Sequence, residues 1–341
     1  MRRIAVFVVS LLAVFLGFAA LAGALGRLTW ALSGAGKTSL EEIRRIRPPE
    51  RHPRGPKKVH RVAEWLAERG RDFHEAPMLA RRVAAGQLPP VAERLPENPL
   101  VVVPPDQCGP YGGTWRRFAT GPSDIGVFEA RLAYDGLVRW DATGRRILPN
   151  LATRWKVEEG GRVYTFWLRR GVRWSDGQPF TADDIMFWYE HILLNEELTP
   201  SIPIWMQNED GSVAKVEKLD DYTVQWTYKQ PNTAFLLELA NKDGADKSIA
   251  NLAFAPAHYL KQFHPDFVDK AELQKKVEEA GFDTWVELFA VEAMPHLSGK
   301  RPSTAAWVPD NSTVSDQVFV LKRNPYYFAV DPEGNQLPYI D

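Results

Sequence analysis

Between Arg162 and Leu168 the chain alternates. Val163, Thr165 and Trp167 fall on one side, and Tyr164, Phe166 and Leu168 on the other. A period of two built from aromatic and β-branched residues predicts a strand. Glu158-Glu159-Gly160-Gly161 supplies a turn before it, and Ser175-Asp176-Gly177 a second turn after it. Thr181-Ala182-Asp183-Asp184 then opens a helix, with a hydroxyl to accept from an orphan amide and two carboxylates at the positive end of the dipole. The period now lengthens. Ile185, Met186, Trp188, Tyr189 and Ile192 form one side of a helix expected over 185–194. Residues 213–219 and 222–228 read as a hairpin closed by Asp220-Asp221, and helices are expected over 233–240, 257–263, 270–280 and 284–291, with a strand over 317–323. Upstream, 62–85 has helical spacing interrupted at 73–78, which predicts two short helices. Residues 88–105 are proline-rich and extended, 114–120 a strand, and 128–134 a helix. Strands and helices interleave, so the fold class is α/β.

The ends differ from this core. Met1-Arg2-Arg3 is basic and residues 4–25 are almost wholly apolar. A signal peptide would use Ala20-Leu21-Ala22 as its cleavage site. A membrane anchor needs about 20 apolar residues, and this run is long enough. The length favours the anchor, and either reading sends the remainder to the extracytoplasmic side. Residues 1–36 are thus a signal or anchor, 37–110 a basic, proline-rich linker with short helices, and 111–341 a folded lobe. Ala31 to Thr38 nearly spells a phosphate-binding loop, but it follows a membrane-type run instead of a core strand and lacks the first glycine.

Composition narrows the chemistry. A net charge of -1 gives no general attraction to nucleic acid. The single cysteine, Cys108, rules out an internal disulfide, and no histidine lies near it in sequence to activate it. The seven histidines are scattered. His258 and His264 flank a helix without converging, and His191 beside Glu190 and Glu196 reads as a solvated face, so neither a metal nor another cofactor is expected. The carboxylate pairs Asp183-Asp184, Asp220-Asp221 and Glu278-Glu279 each fit a helix start, a turn or an exposed face. No nucleophile or metalloprotease motif stands out, which disfavours an enzyme.

The run from Tyr134 to Glu190 resembles the first lobe of family 5 extracellular solute-binding proteins, the dipeptide- and oligopeptide-type receptors of ABC importers. Three further stretches carry the same resemblance: Tyr111-Gly112-Gly113-Thr114-Trp115-Arg116, the 213–228 hairpin, and Arg323-Asn324-Pro325-Tyr326-Tyr327 with Gly334 to Asp341. The resemblance implies a type II periplasmic-binding-protein-like lobe with a mixed sheet. It also implies capture of a solute, oligopeptide first and oligosaccharide next, for membrane permease subunits. The alternative is an anchored extracellular enzyme or a surface sensor. Members leave this lobe, build a second and return. The sequence stops near that exit, so the second lobe is expected to lie outside these 341 residues, and no ligand-anchoring residue is carried over. On this reading Arg117, Phe118, Ala119, Thr120 and Gly121, following the first strand, are candidate cleft residues. Trp205, in an apolar loop, is a candidate stacking platform.

Overall fold

Three successive residues with positive φ, Glu159, Gly160 and Gly161, reverse the chain at the first predicted turn. Two are glycine, which enters that region without a Cβ penalty. In the computed structural model, which describes residues 58–121, 124, 135–241, 249–294, 297–310 and 318–341, eleven short strands are assigned. They are β1 (Arg61–Glu64), β2 (Leu100–Val103), β3 (Val138–Trp140), β4 (Ile147–Pro149), β5 (Ala152–Glu158), β6 (Val163–Leu168), β7 (Lys215–Asp220), β8 (Thr223–Thr227), β9 (Trp307–Pro309), β10 (Leu321–Arg323) and β11 (Ala329–Val330). The helices are α1 (Ala80–Ala84), α2 (Val91–Arg94), α3 (Ala182–Phe187), α4 (Phe235–Leu239), α5 (Ala257–Leu260), α6 (Lys270–Ala280) and α7 (Trp285–Glu292). The apolar run 4–25, most of the basic stretch and the helix expected over 128–134 lie outside the described residues. Among the described residues, no helix is long and apolar enough to cross a membrane.

The largest sheet has the order β5-β6-β8-β7, all antiparallel. The expected alternation of β6 sorts its faces. Phe166 is fully buried, with its ring 5.4 Å from Trp226 of β8 and 6.2 Å from Phe235 of α4. Thr165, on the other face, accepts from Gln225 Nε2 at 3.0 Å. The hairpin β7–β8 turns at Asp220, whose carboxylate accepts from Tyr222 N at 2.8 Å. α6 spans the predicted residues, capped by Asp269 and ended by Gly281 at φ 77°. Thr181 and Asp184 form the capping box of α3. The following turn, Trp188–Leu193, widens to π geometry instead of continuing as the expected α-helix.

Two expectations fail upstream. Residues 62–64 belong to strand β1, not to a helix, because β1 pairs with β2 over four residues. β2 in turn pairs in parallel with β11, giving a mixed three-stranded sheet that joins the two ends of the described chain. The supposed linker is therefore folded from residue 58 onward, and 88–105 contains both α2 and β2. Its Trp65, Phe73, Val91, Leu95 and Val101 share a core with Val330.

Two buried arginines make this join obligatory. Arg94 donates from Nε to Pro89 O (2.9 Å), from Nη1 to Gln336 Oε1 (2.9 Å) and to Pro325 O, and from Nη2 to the Glu75 carboxylate. Arg169 binds both oxygens of Glu64, with Nη2 to Oε1 at 2.9 Å, and Nε donates to Asn150 O at 3.1 Å. Removing one partner of a buried ion pair leaves the other uncompensated, typically at a cost of about 3–5 kcal/mol. We expect Arg94→Met to lower unfolding free energy by about that much, read as a lower urea midpoint at unchanged slope.

Asp135 is buried, and burial pushes its carboxyl up to about 6, against hydrogen bonds from Asn150 Nδ2 and Tyr327 Oη. The folded state therefore keeps a proton that the unfolded chain releases. That stability is complete below the unfolded value of 3.8 and is lost as pH rises through about 6. His264, whose burial lowers its own value, contributes in the opposite sense over falling pH. A variant comparison cancels that contribution. Asp135→Asn should therefore compare more favourably with the parent at pH of about 7.5 than at about 4.5. Thermal melts at the two pH values check this.

Candidate ligand-facing surface

Tyr111 and Tyr339 hold the start of the stretch that carries five candidate residues. Their rings meet edge to face at 5.7 Å, and Gly112 N donates to Tyr339 O at 2.8 Å. Tyr111 Oη donates to Gln336 O at 2.8 Å, while the Arg323 guanidinium lies 5.3 Å from the Tyr111 ring centre. Arg323 is fixed in turn by Tyr339 O and the Asp341 carboxylate, each at 3.2 Å. Tyr339 Oη donates to Asp331 Oδ2 at 2.6 Å, and Asp331 also takes Asn335 N and Nδ2. The loop 331–335 turns on Gly334 at φ 87°, where a Cβ would meet the backbone oxygen of Asp72 at 2.7 Å. Neither the dihedral nor the space admits another residue.

From this anchor the chain runs outward. Residues 114–120 belong to no ladder, so the expected strand is not formed. No described strand lies alongside them to take their amides. Every residue from 113 to 120 is exposed. Phe118 is 98% and Trp115 53% accessible, uncommon for aromatic side chains. The Arg117 guanidinium stacks 5.2 Å from the Trp115 ring centre, which preorganises a cation beside an aromatic plane. Ala119 is open. Thr120 donates N–H and O–H to Asp124 Oδ2 at 2.6 and 2.7 Å, and Asp124 N returns a bond to Gly121 O at 3.0 Å. These bonds tie Thr120 and Gly121 to Asp124. The stretch offers exposed aromatic faces, one of them beside a guanidinium, to a ligand.

Trp205 is placed elsewhere. It is 6% accessible, stacked between Trp188 at 5.7 Å and Phe235 at 6.1 Å with planes within 15°. Its backbone oxygen accepts from Tyr228 Oη at 2.8 Å. It is a core residue, and the reason is the 3-10 turn Ile204–Met206, which points Trp205 inward and leaves Ile204 85% accessible. The exposed apolar member of this loop is the neighbouring Ile204. Trp115 was missed because a strand assignment would have given it a packed face.

A recess of about 320 Å³ opens beside the large sheet, where Arg154 stacks 4.2 Å over Trp167 and Arg170 4.5 Å over Tyr222. Near the anchor, burial and then Asp331 push the Cys108 thiol up to about 11, so it stays protonated and is a poor nucleophile.

The contrast between Phe118 and Trp205 is measurable. Trp205→Ala should cost about 3–5 kcal/mol, as for other buried aromatics. Phe118→Ala should stay within about 0.5 kcal/mol of the parent. Chemical denaturation of both variants tests the assignment, and equal losses would contradict it.

Residues 146–341 match the sequence family described as bacterial extracellular solute-binding proteins, family 5 Middle. The chain is 33% identical to a periplasmic alpha-galactoside-binding protein of Rhizobium meliloti (strain 1021), over 83% of this chain and 38% of that one. It is 31% identical to di/tripeptide-binding protein 1 of Pseudomonas aeruginosa (strain UCBPP-PA14), over 56% of this chain and 36% of that one. Among solved structures, an oligopeptide-binding protein OppA superposes with TM-score 0.72 at 46% identity, covering 79% of this chain and 40% of that one. The periplasmic binding protein MelB of Agrobacterium fabrum C58, in complex with stachyose, superposes with TM-score 0.61 at 29% identity, covering 86% and 44%. The chain thus spans less than half the length of each of these relatives. With the family match covering more than half of its own length, the chain belongs to the family 5 bacterial extracellular solute-binding proteins.

Proposed function

We propose that residues 111–341 are the first lobe of an importer receptor, and that the protein captures a peptide or an oligosaccharide outside the cytoplasm for an ABC permease. The observation that carries this reading is the exposed stretch Trp115–Thr120. Its aromatic rings and guanidinium are held out by a rigid anchor, in a chain of a solute-binding family. Aromatic planes stack on sugar rings and on peptide side chains alike, and a stacked arginine suits a carboxylate or hydroxyl groups. On this reading Arg117, Phe118, Ala119, Thr120 and Gly121 contribute one wall of the cleft, and Trp115 joins them. The receptor binds and hands over without turning its solute over, so no catalytic group is required. The apolar segment at residues 4–25 would carry the chain across or hold it at the membrane.

Two of the relatives are named for sugars and two for peptides, so both classes belong in the test. Deleting the gene that carries this chain should abolish uptake of labelled stachyose or of a labelled tripeptide by the host. Complementation with Phe118→Ala should restore the protein but not the full uptake. Unchanged uptake of both solutes after deletion would overturn the reading.

A further inference from the structure

Two histidines far apart in sequence meet at one carboxylate. His191 sits in the widened π turn Trp188–Leu193, and His264 in the turn that follows α5. His191 Nδ1 is 2.8 Å from Asp266 Oδ2, and His264 Nδ1 is 3.6 Å from the same oxygen. One ligand atom from each of the three residues lies within 4.8 Å of the others. A tetrahedral ion with ligands at about 2.0–2.1 Å separates them by roughly 3.3 Å, between the two observed spacings.

The tautomer of His264 is fixed by its surroundings. Its Nε2 lies 3.0 Å from His191 O, an oxygen that can only accept, so Nε2 carries the proton. Nδ1 therefore presents its lone pair toward Asp266, where it meets the Asp266 N–H at 3.2 Å. A ring that donates one N–H to a backbone carbonyl and offers its other nitrogen is the arrangement that orients metal-ligating histidines. His191 lies in the last turn of its helix, where terminal carbonyls have no partner within the helix, so its oxygen is open to His264.

The shell is stiff and apolar. Phe267 packs 4.7 Å from the His191 ring, and Trp285 and Phe289 pack 5.2 and 5.7 Å from that of His264. The Asp266 side chain remains 56% exposed and that of His191 26%, which leaves a solvent approach. A simple His191–Asp266 ion pair would account for the 2.8 Å contact. It would not bring in the second imidazole, whose Nδ1 lies 3.6 Å from the same Asp266 oxygen, so that three potential ligand atoms share one small volume.

We propose that His191, His264 and Asp266 form a binding site for a divalent transition metal of the zinc type. Water completes the coordination, and the ion staples the π turn to the turn before α6. Two neutral imidazoles and one carboxylate suit zinc over magnesium or calcium, which prefer all-oxygen ligands.

The test is titration of the full 341-residue chain, stripped with chelator, with Zn²⁺ by calorimetry and with Co²⁺ by visible absorption. One equivalent should bind and raise the melting temperature, and Co²⁺ should give the absorption of a four-coordinate nitrogen–oxygen site. His191→Ala should abolish this binding, and Asp266→Asn should weaken it by about 10-fold or more. Both positions reach solvent, so both variants should fold, with circular dichroism as the check. His264 is fully buried and is left unchanged for that reason. Absence of binding by the parent overturns the proposal, as does binding undiminished in both variants.

Discussion

Burying a guanidinium is tolerable only when each of its donors finds an acceptor. Arg94 and Arg169, both with fully buried side chains, impose that condition on most of the described chain. Arg94 draws Glu75 and Pro89 from the upstream segment to Pro325 and Gln336 near the end. Arg169, at the exit of β6, reaches Glu64 on β1, Asn98 before β2 and Asn150 before β5. The mixed β1-β2-β11 sheet forms between these two charges. Loops 325–341 are then rigid enough to hold Tyr111 and project the exposed stretch beyond it. The candidate surface thus rests on ion pairs more than 10 residues away in sequence from every group it displays.

A second constraint acts through Asp184. In sequence it is a helix-start carboxylate. In the structure it is buried and accepts from Thr181 N at 3.0 Å, Trp174 Nε1 at 3.2 Å and Ala257 N at 3.1 Å. Burial raises its carboxyl to about 6, while three donors and no acceptor favour the anion. One capping residue thereby fixes α3 against the 172–180 turn and the start of α5. The π turn that continues α3 places Trp188 on Trp205 and His191 beside His264, so the core stack and the histidine cluster share one backbone irregularity.

Much of the fold was legible because its signals were local. The β7–β8 hairpin, α6 over 270–280 and the helix start at Thr181 follow from residues that act on neighbours within a turn. Residues 62–64 misled for a complementary reason. Their helical spacing was real, but β1 is decided by β2 and, through it, by β11, more than 200 residues away. Residues 114–120 have strand character without a partner among the described residues, and a strand without a neighbour has no ladder.

The candidate site divides along the same line. Sequence by itself determined the α/β class and the family resemblance, because periodicity, turn chemistry and motif order are properties of adjacent residues. Only the tertiary structure decided that Phe118 faces water while Trp205 lies inside the core, since a loop's side-chain directions depend on what packs beneath it. It alone brought His191 and His264 to Asp266, because convergence of distant residues is set by how α3 and α5 cross, which no spacing along the chain records.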